Sequence, residues 1–197
     1  MYRTTARLIL ASRSPRRREL LAGCGLQFEV IIPDCVEDGL CAGETPEGMV
    51  KRLARLKAKE VAAREPEAWV IGADTDVVVD GRVLGKPRDG QEAERLLREI
   101  QGRAHTVWGA FAVLYLARNI EHVEAHQSVV EMAAMDESLI KAYVLSGEPA
   151  DKAGAYAVQG LGAGLVCRIV GSYTNVVGLN LAAVLRALRS LGAIEIA

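Results

Sequence analysis

Four arginines, Arg13, Arg16, Arg17 and Arg18, crowd the stretch LILASRSPRRRELL from Leu8 to Leu21. Farther along, three residues stand alone against apolar surroundings: Lys57, Asp74 at the end of VIGAD, and Lys86 in LGKP. Arginines in the first turn of a helix oppose its dipole, unless an anion sits there and is bound jointly by free N–H groups and guanidinium forks. LILASRSPRRRELL therefore reads as a strand, a tight turn and a helix start shaped for phosphate. The competing reading is a solvated basic patch, or ion pairs with the nearby acids Asp34, Glu37 and Asp38. Lys57 falls on the apolar stripe Val50, Leu53, Ala54, Val61 of a helical pattern, whereas Lys51, Arg55 and Lys59 fall off it. A lysine there either snorkels to solvent or meets an anion. Asp74 ends an apolar strand, the place where open α/β sheets bind ligands. A carboxylate there serves as general base or metal ligand, or merely shapes a turn. Lys86, fixed between Gly85 and Pro87, reaches a phosphate as a point charge or is a plain turn lysine.

These residues need elements to position them. RLILAS (7–12) reads as a buried strand. A helix follows from Pro15 to about Cys24, with Ser14 as N-cap and Pro15 at the first helical position. FEVIIP (28–33) reads as a strand and 34–44 as an acidic loop. Thr45-Pro46-Glu47 starts a long helix to about Arg64. WVIGAD (69–74) is a strand, and VVVDGRVLG a hairpin around Asp80-Gly81. Gln91 to Ile100 is helical. HTVWGAFAVLYLA and HVEAHQSVVEMAA read as long antiparallel strands. Asp136 caps a helix ending at Gly147. LVCRIV is a strand, and VVGLNLAAVLRALRSLG closes as one helix. Hairpins mixed with crossovers predict an α/β fold on a mixed sheet, one domain over 1–197. The Gly-rich stretch 147–164 is the natural place for a hinge between two lobes. Its GLGAG leads into a strand rather than a helix, so it is not read as a cofactor loop.

Composition narrows the function. A net charge of -1 gives no general attraction to nucleic acid or anionic membrane. With aromatics at 5%, a base-stacking single-strand binder is disfavoured. No apolar run approaches the roughly 20 residues of a membrane span. The Arg- and Ser-rich start superficially fits a transit peptide, but it runs into an amphipathic helix and reads as part of the fold. Cys24, Cys35, Cys41 and Cys167 lack paired spacing and read as buried free thiols of a reducing cytoplasm. His105, His122 and His126 alternate with apolar residues and read as structural. No GxxxxGK[ST] is present. Three cationic elements and a carboxylate at element ends are the equipment of metal-assisted phosphate chemistry.

In order, LASRSPRRRELL, GETPEGMVKRLARLKA, VIGADTDVVVDGRVLGKP, SGEPADKAGAYAVQG and GSYTNVVGL resemble the Maf family of nucleotide pyrophosphatases over nearly the whole chain. The resemblance implies a Maf/ITPase-like α/β fold, two lobes around a central cleft, and a homodimer. It implies hydrolysis of a nucleoside triphosphate to monophosphate and pyrophosphate with Mg²⁺ or Mn²⁺. By its motifs Asp74 is the proton acceptor, and Glu37 stands with Asp74 at the metal. Ser12, Ser14, Arg16, Arg17, Lys57 and Lys86 handle phosphate, and Arg16, Thr75 and Gln159 select the base. AGAYAVQG is similar to the branch acting on dTTP and UTP, and the Gln159 amide suits the donor–acceptor edge of uracil or thymine. The alternatives are the 7-methyl-GTP branch, which carries a Glu in this region, and a nucleotide-binding regulator of septum formation. Departures from the family pattern are Val36 in place of an Asp, Trp108-Gly109 in place of a Thr, and Asn180 in place of a Pro. Asp76, two residues beyond Asp74, is a candidate substitute for the missing acid.

Overall fold

The computed structural model describes residues 1–197. The chain forms two compact units. The first comprises Met1–Asp74, Gly109–His126 and Gly178–Ala197, and the second Thr75–Trp108 and Gln127–Val177.

The main sheet has seven strands: β2 (Leu8–Ala11), β3 (Glu29–Val30), β4 (Trp69–Val79), β5 (Arg82–Leu84), β6 (Ala104–Tyr115), β7 (Ile120–Met132) and β8 (Val166–Val170). Their order is β3-β2-β4-β6-β7-β8, with β5 on β4. β2 runs parallel to both β3 and β4, with Leu10 beside Ile71, and β4–β5 and β7–β8 are antiparallel. The mixed α/β sheet is the one the sequence predicts. The β4–β5 turn carries Asp80 and Gly81, both at positive φ, as a tight hairpin of this twist requires.

In the first unit α1 (Pro15–Ala22) and α2 (Pro46–Arg64) start as expected, because Ser14 and Thr45 accept hydrogen bonds from the backbone N–H of Arg17 and Gly48. The core gathers Leu10, Leu21, Trp69, Ile71, Phe111 and Leu188. The expected closing helix is broken. α5 (Tyr173–Val177) ends before Gly178, whose φ of 142° ends the helix, and α6 (Leu181–Ser190) starts afresh. Asn180 is the N-cap of α6, its Oδ1 accepting from Ala183 N at 3.3 Å. A small sheet escaped the sequence reading: β1 (Tyr2–Thr4) pairs antiparallel with β9 (Ile194–Ile196). FEVIIP forms only the two-residue β3, which is exposed on the sheet edge.

The second unit has its own core, including Val79, Leu97, Val107, Val130, Ile140 and Tyr156, and holds α3 (Gly90–Ile100) and α4 (Glu137–Leu145). Asp89 and Asp136 cap these helices. The stretch 147–164 is not a hinge. It lies wholly inside this unit as three short 3-10 turns. The four cysteines are free, as expected, but none is buried: Cys24 and Cys35 are half-buried, Cys41 and Cys167 exposed. No helix is long and apolar enough to cross a membrane.

Candidate active site

The site begins with a glycine. On β4, a Cβ at Gly72 would lie 2.6 Å from the backbone nitrogen of Ala58 and 2.8 Å from its Cβ, and closer still to the Ala54 carbonyl. Only glycine lets α2 lie with its backbone directly on the strand. That contact carries Lys57, one residue before Ala58, to Asp74, two residues beyond Gly72. Lys57 Nζ donates to Asp74 Oδ1 at 2.7 Å and forms an ion pair with Glu37 Oε2 at 2.6 Å. Lys57 and Asp74 are each 6% exposed, whereas half of the Glu37 side chain is open to solvent. The sequence left Lys57 between snorkelling and an anion; the structure chooses the anion. Asp74 Oδ2 is buried and has no hydrogen-bond partner, so one lone-pair face of this carboxylate is uncommitted.

Glu37 sits in the loop 31–44, which α2 holds down. Arg52 donates to the carbonyls of Asp38 and Gly39 and pairs with Glu44, and Glu60 Oε2 accepts from Asp34 N. The Arg52 guanidinium holds the Glu44 carboxyl down at about 2. Arg52 and Glu60 of α2 thus anchor this loop.

At the start of α1, Ser12 is buried and its Oγ accepts from Ser14 N at 3.1 Å and from Arg17 Nη1 at 3.4 Å. Arg17 is also buried. Its Nε donates to Gly178 O at 2.9 Å and its Nη1 to Ala73 O at 2.8 Å, the carbonyl next to Asp74. A side chain expected to handle phosphate thus fixes the backbone that presents the carboxylate, a use its residue type did not announce. Arg16 is half-buried, and Arg13 and Arg18 are exposed.

The structure therefore brings Glu37, Lys57 and Asp74 together, and Ser12, Ser14 and Arg17 together, within the first unit. Thr75, Lys86 and Gln159 belong to the second unit. Thr75 is half-buried, and Lys86 and Gln159 are exposed. Because β4 is unbroken to Val79, Asp74 and Asp76 fall on one face of the strand by its period of two. No three His, Cys, Asp or Glu side chains are grouped as a metal cage. Of the histidines, His122 and His126 both pair with Glu124 on β7, and His105 is buried against Tyr156.

The chain that builds this arginine-rich helix start and buried carboxylate–lysine pair belongs to the Maf family: residues 7–191 match the family model for Maf-like proteins. The chain is 48% identical over 195 residues to the dTTP/UTP pyrophosphatase of Geotalea uraniireducens, covering 99% of this chain and 100% of that protein. It is 46% identical to the dTTP/UTP pyrophosphatase of Syntrophotalea carbinolica, covering 96% and 86%. The protein of the same name from Symbiobacterium thermophilum is 48% identical, covering 94% of each.

Proposed function

We propose that this protein hydrolyses dTTP and UTP to the monophosphate and pyrophosphate, with Asp74 as the general base. The observation that carries the reading is the buried Lys57–Asp74 pair with Asp74 Oδ2 unpartnered. Lys57 occupies Oδ1 and sets the rotamer, so the lone pairs left to take a proton are those of Oδ2. A water at Oδ2 gives up its proton there as its oxygen bonds the α-phosphorus. The bond from that phosphorus to the bridging oxygen breaks, and pyrophosphate leaves. Arg16 and Lys86 bind phosphoryl oxygens, and Arg17 contributes by holding the Ala73 carbonyl.

Glu37 and Asp74 suit Mg²⁺ or Mn²⁺. Carboxylate oxygens are hard donors and Glu37 is half open to solvent, so the two residues would hold a hard cation that takes its remaining ligands from water and substrate phosphates rather than from a protein cage, with Asp74 Oδ2 left to take the proton. When bound, such a cation would neutralise charge on the triphosphate. Thr75 and Gln159 read the pyrimidine edge together with Arg16. The identity with the dTTP/UTP pyrophosphatases supports this substrate class. A cytoplasmic homodimer completes the reading, and sedimentation at several concentrations tests the dimer.

The test is product analysis. Incubated with Mg²⁺ or Mn²⁺ and each common triphosphate, the protein yields UMP or dTMP plus pyrophosphate, separated by ion exchange. Asp74→Asn, which keeps an acceptor for Lys57, loses about 10²–10⁴-fold in turnover. Nucleoside diphosphate plus orthophosphate would refute attack at the α-phosphorus, and full activity of Asp74→Asn would remove it as base.

A further inference from the structure

Gln159 is exposed, yet the chain on both sides of it is tied down by buried polar groups. On its N-terminal side Gly154 turns at φ 67° against Val77, and Ala155, fully buried, follows at φ 59°. An alanine holds that left-handed conformation only where its surroundings over-determine it. The surroundings here are explicit. Tyr156 is buried, its hydroxyl 2.7 Å from His105 Nε2 and its ring edge-on to the imidazole. Ala157 N donates to the Tyr143 hydroxyl at 3.0 Å, and that hydroxyl donates to Glu148 Oε1 at 2.8 Å. On the C-terminal side the same carboxylate accepts from Leu161 N at 2.9 Å and from Gly162 N at 2.8 Å. These donors hold the Glu148 carboxyl below its usual range against the opposing effect of burial. The fit leaves no slack: a Cβ at Gly160 would overlap Glu148 Oε2, and one at Gly162 would stand 2.5 Å from the Tyr143 hydroxyl. An exposed turn can satisfy its backbone with water. This one instead takes buried phenols, a half-buried carboxylate and a backbone conformation that alanine rarely adopts, all acting on backbone within five residues of one exposed amide.

We propose that Tyr143, Glu148, Tyr156 and His105 are positioning residues that fix Gln159 for base selection. The inference rests on the reading of Gln159 as the base selector. An amide discriminates a uracil edge only if its donor and acceptor are held in place before the base arrives, because a mobile amide re-pairs with the wrong base. The frame touches no substrate and acts by pre-ordering the residue that does. GLGAG, passed over as a cofactor loop, then has a role: its glycines let Glu148 reach two consecutive backbone N–H groups.

The experiment is steady-state hydrolysis of UTP and CTP by wild type, Tyr143→Phe, Tyr156→Phe, Gln159→Ala and the double variant Tyr143→Phe/Gln159→Ala, with thermal unfolding of each. Tyr143→Phe is expected to compress the UTP-to-CTP ratio of kcat/KM by about tenfold, mainly through KM, with kcat for UTP within about twofold of wild type. Tyr156→Phe acts in the same direction and covers the case in which Tyr143→Phe folds poorly. The double variant should be no less selective than Gln159→Ala alone, since the frame acts only through Gln159. If Gln159→Ala compresses the ratio but neither tyrosine variant does, or if the double variant is additive, the frame is overturned and the base-selector reading stands. If Gln159→Ala leaves the ratio unchanged, the selector reading falls, and the frame with it.

Discussion

Gly72→Ala tests whether the backbone contact between α2 and β4 sets the geometry of the site. The added methyl would stand 2.6 Å from Ala58 N and 2.8 Å from Ala58 Cβ. Carbon contacts settle near 3.5–4.0 Å, so α2 must retreat by about 1 Å. Overpacking of this kind costs about 1–3 kcal/mol. In a chain of this size each kcal/mol lowers Tm by roughly 2–4 °C, so the expected drop is roughly 2–12 °C. Lys57 rides on α2 beside Ala58, so its 2.7 Å bond to Asp74 stretches past 3.5 Å, where it no longer counts as a hydrogen bond. A misplacement of about 1 Å at a catalytic group costs on the order of 10²-fold in turnover. The assay pairs thermal unfolding with turnover measured well below the variant's Tm, so that loss of fold and loss of geometry separate. A Gly72→Ala protein with wild-type Tm and wild-type turnover would refute the argument.

Lys57→Met removes the cation from a buried carboxylate, and breaking such a pair from one side costs about 3–5 kcal/mol. Urea unfolding should place this variant well below Asp74→Asn. His105 gives a pH dependence: burial, with Arg103 nearby, lowers its pKa to about 4 from the ordinary 6.5. Its contribution is full above about 6.5 and is lost as pH falls toward about 4, because the unfolded chain takes up the proton first. Between about 6.5 and about 4 the loss amounts to roughly 3 kcal/mol, at about 1.36 kcal/mol for each pH unit. Urea unfolding of His105→Gln at pH 7 and pH 4 should show a smaller acid loss than wild type.

Much of the fold was legible because the signals were local. Ser14, Thr45 and Asp136 announce their helices by residue type, Asp80-Gly81 announces its hairpin, and the stripe on α2 placed Lys57 on the buried face before any partner was known. What escaped depends on residues far apart in the chain. The pairing of Tyr2 with Ile196 leaves no periodic trace in strands of three residues. Gly178 ends the expected helix because only a glycine readily takes φ 142°, and the apolar Val176, Val177, Leu179 and Leu181 around it conceal the stop. In the site, Asp74 and Lys57 were visible by position, but their pairing depends on Gly72, whose close approach to Ala54 and Ala58 is a tertiary fact. Arg17 reads from sequence as a phosphate ligand and is found donating to two carbonyls, one 161 residues away. The Gly-rich stretch reads as a hinge until Glu148 is seen bonded to it.

The bond from Arg17 to Gly178 also bears on when the site comes into being during synthesis. The carbonyl that α1 needs lies on a segment made long after Asp74, and β1 has no partner until Ile194–Ile196 has been made. A nascent chain that has already produced Glu37, Lys57 and Asp74 still lacks the piece that locks Arg17 in place. Contacts of such long sequence separation form late, and the apolar surface they will cover stays open in the meantime. The first unit is therefore the part of this protein that matures last, although its longest segment, Met1–Asp74, is the first to be made.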